Sequence, residues 1–225
     1  MKGINHTGEI LYREYLGIVR DLKKYLERKM NESSSDNLSL LEKLYREVKN
    51  CQRCSLYKTR TNLVFGEGNP DALVMFVGEA PGKEEDLQGR PFVGAAGKLL
   101  RKAIRTVGIS EKQIYIANIL KCRPPKNRDP QPEEIIACLP YLKKQIKIVK
   151  PKIICTLGKF STQNILNTTT GITHLRGKSF AGNGGEIIIP TYHPAACIYR
   201  PPWREQLIAD LKKVKMEMDK ILSGV

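Results

Sequence analysis

The chain has 225 residues, 41% of them apolar, a size that allows one substantial domain with a real core and is short for two. No run approaches the roughly 18–20 apolar residues of a membrane span, and the N-terminus lacks a signal peptide's charged start and apolar middle, so a soluble, cytoplasmic protein with no membrane partner is expected. Its 38 Lys and Arg against 23 Asp and Glu give a formal charge of +15, which suits a phosphate-rich partner through counterion release, although a solvated Lys-rich surface gives the same total.

In chain order, residues 10–29 place Leu11, Tyr15, Ile18, Leu22 and Tyr25 at alternating spacings of four and three, which predicts an amphipathic helix. The stretch "NESSSDNLS", 31–39, reads as a polar linker with a helix start near Asp36 or Ser39. A second helix, "LSLLEKLYREVKN", then runs into Cys51. Residues 1–37 are thus expected to form a helical extension with its linker, and 38–225 an α/β domain. The apolar stripe of the extension must pack somewhere, and its own domain is the expected place.

From Cys51 onward strand and helix patterns alternate. Four β-rich runs stand out, "ALVMFVG", "IYIANIL", "KIICTLG" and "EIIIPTYH". Between them lie the helical segments "AAGKLLRKAIRTVG", "QPEEIIACLPYLKKQIKIV" (interrupted by Pro140) and a weaker one from Lys159; a basic amphipathic helix, "REQLIADLKKVKMEMDKIL", closes the chain. This alternation predicts a three-layer α/β/α fold around a central four-stranded parallel sheet. Ligands in such sheets bind beyond the carboxyl ends of the strands. The polar signals gather there: Gly78-Glu79 after the first strand, Asn118 in the second, His193 after the fourth.

Three local patterns bear on chemistry. A phosphate loop is excluded: "GEAPGK" has three residues between its glycines instead of four, and Glu84 stands where Ser or Thr should hold magnesium. "CQRC" places Cys51 and Cys54 in the C-x-x-C spacing that lets two thiolates share a metal centre, while Cys122 and Cys138 lie sixteen positions apart. From spacing alone zinc, an iron–sulfur cluster and coincidence remain open. Cys155 sits in an apolar strand and reads as a small core residue, Cys197 as a free thiol. The third pattern is "TYHPAACIYRPPW", where a histidine directly after a strand and before a proline is held in extended backbone on a rigid support. A structural hydrogen-bonding role is the bland alternative for His193.

Taken together, "CQRCSLYKTRTNLVFGEGNP", "VGEAPGKEEDLQGRPFVGAAGKLL", "IANILKCRPPKNRDPQPEEIIACLPYL" and "TYHPAACIYRPPWR" resemble the iron–sulfur (type-four) uracil-DNA glycosylases over roughly Leu44 to Leu211. The resemblance implies a monofunctional repair enzyme that flips uracil out of single- or double-stranded DNA and hydrolyses its N-glycosidic bond. It implies one [4Fe–4S] cluster on Cys51, Cys54, Cys122 and Cys138. It also implies uracil contacts from the backbone at Gly78, Glu79 and Ala80 and from Phe92, Asn118 and His193.

The implied chemistry is coherent. The Asn118 amide can donate to uracil O4 and accept from N3–H, a pattern that cytosine reverses. His193 can donate to O2, Phe92 can stack on the base, and the two donors would stabilise the leaving anion. In the best-known branch of the wider superfamily a water-positioning aspartate stands at the position of Ala80, and a bulky residue that blocks the thymine methyl stands at that of Gly82. Glu79 and Glu85 are therefore candidates for orienting the loop, guarding uracil C5 or favouring the sugar cation, and Glu84 and Asp86 for solvated or helix-capping charges. DNA contacts are expected from Lys121, Arg123, Lys126 and Arg128, and a wedge from Ile198, Tyr199 or Arg200. The N-terminal extension is read as the place for a repair or replication protein partner. Two rival readings are a non-catalytic iron–sulfur or zinc nucleic-acid-binding module and a redox protein that uses its cluster for electron transfer.

Overall fold

The computed structural model describes the backbone of residues 6–224 and the side chains of residues 15–25 and 36–224. Its strands are β1 (Glu67–Gly68), β2 (Val74–Gly78), β3 (Ile114–Asn118), β4 (Ile153–Leu157), β5 (Phe180–Ala181) and β6 (Ile187–Thr191). Its helices are α1 (His6–Val48), α2 (Lys83–Gln88), α3 (Ala95–Thr106), α4 (Pro132–Val149), α5 (Lys159–Leu166), α6 (Ile172–Leu175), α7 (Pro194–Ile198) and α8 (Pro201–Ser223).

The four β-rich runs become β2, β3, β4 and β6, all mutually parallel. The sheet has six strands instead of the four expected, in the order β1-β3-β2-β4-β6-β5. The two additions are two-residue strands that pair antiparallel at either edge; segments so short carry no periodicity to read. Each central strand is rich in β-branched or aromatic residues and lies between two cores. Val74, Phe76, Ile114, Ile116 and Ile153 enter one core with Leu100 and Ile104 of α3 and Leu207, Leu211 and Val214 of α8. Their alternates Met75, Val77, Tyr115, Ala117 and Ile154 enter the other, with Leu142 and Val149 of α4 and Leu41, Leu44 and Val48 of α1. Period-two alternation therefore fills both faces, and the three layers follow.

Three local expectations need correction. The stretch 31–39, read as a linker, lies inside α1, which runs unbroken for 43 residues. Ser, Asn and Asp weaken a helix by only about 0.5 kcal/mol each, and no Pro or Gly interrupts the stretch. Residues 1–5 and the side chain of Leu11 lie outside the described residues. Tyr15, Ile18, Leu22 and Tyr25 do not pack on the domain; they are 49–67% exposed. Pro140 does not interrupt α4 either. It removes one N–H donor to the carbonyl of Ile136, and Ile136 stands on the exposed face, where water replaces the donor.

Candidate active site

Beyond the carboxyl ends of β2, β3 and β6 lies a cavity of about 380 Å³, within the usual 300–1,000 Å³ of small-ligand sites. Glu79, Ala80, Gly82, Glu85, Phe92, Asn118 and His193 line it together with Pro124, Asn127 and Arg128. Asn118 is the last residue of β3 and is 2% exposed. Its Oδ1 is buried without a hydrogen-bond partner, a state that costs free energy until an N–H is supplied. Gly78, its neighbour across β2, permits that position: a Cβ there would stand 2.3 Å from Asn118 Oδ1 and 2.7 Å from the Phe92 ring.

Phe92 has a left-handed backbone, with φ of 53°, which a bulky residue adopts only where its surroundings impose it. Two devices impose it. Gly97 in the first turns of α3 lets the Phe92 carbonyl approach so closely that a Cβ on Gly97 would meet its oxygen at 1.9 Å. Glu85 Oε1 accepts the backbone N–H groups of Val93 and Gly94, at 2.9 and 2.8 Å, and so caps α3. Glu85 is thus a loop-orienting residue, one of the three roles considered for it. The Phe92 ring is held 6.0 Å from that of His193, tilted by 35°.

His193 is the N-cap of α7, and its Nδ1 accepts the Ala195 N–H at 3.2 Å. Burial pushes its imidazolium down to about 4, against the opposing pull of Glu85. The ring is therefore neutral near pH 7, and with Nδ1 accepting, the proton resides on Nε2, which becomes a donor. Glu79 is half-buried, and burial pushes its carboxyl up to about 7, with Asp129 adding and Lys159 opposing.

The remaining acidic residues of the loop divide. Glu84 is exposed in the first turn of α2. Asp86 is buried, and its carboxylate accepts the backbone N–H groups of Thr61 and Asn62 at 3.0–3.3 Å. It latches α2 to the loop at Thr61 and Asn62 and is not a solvated charge.

Cys51, Cys54, Cys122 and Cys138 line one small cavity on the α1–α4 side of the sheet. Their sulfurs are supplied with donors. Tyr141 Oη donates to Cys51 Sγ at 3.3 Å, Arg60 Nη1 to Cys122 Sγ at 3.1 Å, and the Lys121 backbone N–H to Cys138 Sγ at 3.2 Å. Burial raises the Cys54 and Cys122 thiols and pushes Cys138 up to about 12. Among the described residues, no three His, Cys, Asp or Glu side chains group tightly enough to hold a single metal ion. The donor set nevertheless fits a thiolate-ligated cluster: four cysteines on one cavity, three of them accepting hydrogen bonds of the kind that tunes such ligands. Cys155 is a buried residue of β4, as expected, and Cys197 is a buried thiol between the carbonyls of His193 and Trp203.

Of the residues read as DNA contacts, Lys121 needs correction. It is fully buried, and its ammonium donates to the Asn118 carbonyl at 2.8 Å and to Gln145 Oε1 at 2.6 Å; no surface remains to meet a phosphate. Arg128 is bidentate to buried Glu134 at 2.9 and 2.6 Å, which pins the pocket-lining loop onto α4. Arg123 bonds Asn127 Oδ1 at 2.7 Å, and Lys126 is exposed. In the α7–α8 turn, Arg200 lies over Trp203 at 4.3 Å, Trp203 stacks on Tyr192 at 4.4 Å, and Arg176 covers Tyr192 at 5.2 Å. Ile198 is half-buried and Tyr199 is 87% exposed.

Pro124, Asn127 and Arg128 escaped the sequence reading as pocket residues. Their one signal is adjacency to Cys122 within "KCRPPKNR".

Residues 65–212 match the family model described as the uracil DNA glycosylase superfamily. A type-4 uracil-DNA glycosylase of Sulfurisphaera tokodaii is 52% identical over 183 residues, 78% of this chain and 83% of that one. One from Saccharolobus solfataricus is 49% identical across 80% of this chain and 86% of its own length. A third, from Archaeoglobus fulgidus, is 46% identical across 77% and 91%.

Proposed function

The chain belongs to the uracil-DNA glycosylase superfamily, and on that footing we propose that it excises uracil from DNA, single- or double-stranded, and leaves an abasic site. The observation that carries this reading is the buried, unpartnered Oδ1 of Asn118 on the wall of the cavity that also holds His193. A flipped uracil supplies the missing N–H from N3, while the Asn118 amide N–H₂ donates to O4 and His193 Nε2–H donates to O2. Phe92 stacks on the ring.

Water attacks C1′ as the C1′–N1 bond breaks; the electron pair of that bond leaves with uracil, and the water's proton passes to solvent. Donors preorganised around the departing anion act in a dry site, where removal of one such donor costs about 100- to 1,000-fold in rate. A neutral His193 serves as donor without having to lose a charge. Glu79, poised near neutrality, favours the cationic sugar when ionised, and the backbone at Gly78, Glu79 and Ala80 frames the base edge. Glu85 acts at one remove, through the Phe92 loop.

Cys51, Cys54, Cys122 and Cys138 would hold a [4Fe–4S] cluster. When bound, it supplies a covalent cross-link between the end of α1, the loop after β3 and the middle of α4. Hydrolysis of a glycosidic bond needs no electron, which favours that structural role. Arg123 and Lys126 meet phosphates, and Tyr199 is the wedge that fills the gap left by the extruded base. The N-terminal extension, residues 1–37, presents the exposed Tyr15, Ile18, Leu22 and Tyr25 to a repair or replication protein; residues 38–225 form the catalytic domain. The enzyme works inside the cell, with the genome, and no helix among the described residues is long and apolar enough to cross a membrane.

The test is to incubate the protein with uracil-containing oligonucleotides, single- and double-stranded, and to score abasic sites. Asn118→Ala and His193→Ala should each abolish most base release while DNA binding persists. A non-catalytic binding module would release no uracil in any form.

A further inference from the structure

Lys121 has no exposed surface, and both recorded partners of its ammonium are neutral oxygens. A buried ammonium without a counter-ion costs several kcal/mol, so its retention needs a reason. The backbone offers one. Lys121 stands between Asn118, three residues before it, and Cys122, the next residue, and its N–H donates to Cys138 Sγ at 3.2 Å. The ammonium then folds back to the carbonyl of Asn118, at the very end of β3. Gln145 completes the site from α4, its Nε2 donating to the Phe65 carbonyl at 3.0 Å and to Tyr115 Oη at 3.3 Å. One residue thus joins the strand end that presents the uracil-reading amide, through its side chain, to the wall of the cysteine cage, through its backbone N–H.

We propose that Lys121 is a positioning residue for uracil excision and the buried counter-charge of the cysteine cage. The inference rests on the reading of Asn118 as the residue that recognises uracil. A cluster held by four thiolates carries net negative charge, which compensates the ammonium; the ammonium in turn clamps the Asn118 carbonyl. Replacing it with an apolar side chain leaves the Asn118 carbonyl and Gln145 Oε1 buried without a donor, and the strand end relaxes to find water.

The experiment uses the holoenzyme and compares Lys121→Met, Lys121→Gln, Asn118→Ala and the Lys121→Met/Asn118→Ala double variant. Lys121→Met should slow single-turnover excision about 10-fold or more, yet change it less than about twofold when Asn118 is already alanine, because the lysine acts through that residue. The cluster's reduction potential should move to more negative values in both Lys121 variants, since a neighbouring positive charge has gone. Lys121→Gln, which retains donors, should recover most of the excision rate while keeping the shifted potential.

Additive losses in the double variant, or an unshifted potential, overturn the proposal. If Lys121→Met does not fold, Lys121→Gln decides: an unshifted potential, or a rate loss additive with Asn118→Ala, is equally fatal. Unimpaired excision by Asn118→Ala alone sinks the uracil-recognition reading instead, a result distinct from either.

Discussion

The chain builds two cavities around the end of β3, and it finishes them in opposite ways. The larger, at the strand ends, keeps a buried amide oxygen unpartnered and a neutral imidazole with a free donor. The smaller, behind the sheet, surrounds its sulfurs with donors from Tyr141, Arg60 and the Lys121 backbone. An unsatisfied site is poised for something that comes and goes; a satisfied one suits something that stays. The loop from Cys122 to Gln131 serves both, since it begins at a cage cysteine and carries Pro124, Asn127 and Arg128 to the pocket wall.

The contrast can be broken at four points of decreasing force. Cys138→Ala removes one of the four proposed cluster ligands, and structural metal sites supply folding free energy on the order of 10 kcal/mol. The variant should lose visible absorbance, iron content and cooperative thermal unfolding together. Asn118→Ala and His193→Ala should do the reverse: excision falls about 100- to 1,000-fold per donor, while Tm and iron content hold.

Gly97→Ala sits between these extremes. Its Cβ would collide with the Phe92 carbonyl at 1.9 Å, so the ring must shift. Calorimetry should register a loss of about 1–3 kcal/mol, the usual range for overpacking, together with a raised KM for uracil DNA.

The smallest effect concerns pH. Glu79 keeps its proton up to about 7 in the fold and releases it near 4.5 when unfolded, so the folded state binds more protons in between. The contribution of Glu79 to stability should therefore fall as pH rises from about 4.5 to 7, and excision should rise as the carboxylate forms near 7. His193, neutral in the fold down to about 4 but protonated below about 6.5 when unfolded, adds no step to excision in that window. Its own contribution to stability rises with pH from about 4 to 6.5 and opposes that of Glu79. Glu79→Gln should flatten the excision profile and leave the rising His193 contribution unopposed, so that Tm climbs more steeply between about pH 4.5 and 6.5 than in the parent, as pH titrations of single-turnover rate and of Tm will report.

The sequence made the central sheet legible because each strand is a five-residue apolar block bounded by polar ends, and strand-end placement then pointed to Gly78, Asn118 and His193. Phe92 and the four cysteines were legible only through the resemblance, since their spacing alone fits several chemistries. Three features were hidden for physical reasons. The helix through 31–39 depends on the absence of a breaker, which is weaker than a positive signal. Lys121 looks like its basic neighbours Arg123 and Lys126, and only tertiary packing separates a buried ammonium from a solvated one. Glu85 acts on backbone donors eight and nine residues ahead, at a loop angle no periodicity encodes.

The aromatic ladder beneath the α7–α8 turn has an optical consequence. Trp203 is the chain's single tryptophan, sandwiched between the Arg200 guanidinium and the Tyr192 ring, four positions from exposed Tyr199. Its emission should therefore change on addition of duplex DNA where the turn is the proposed wedge, with no label required.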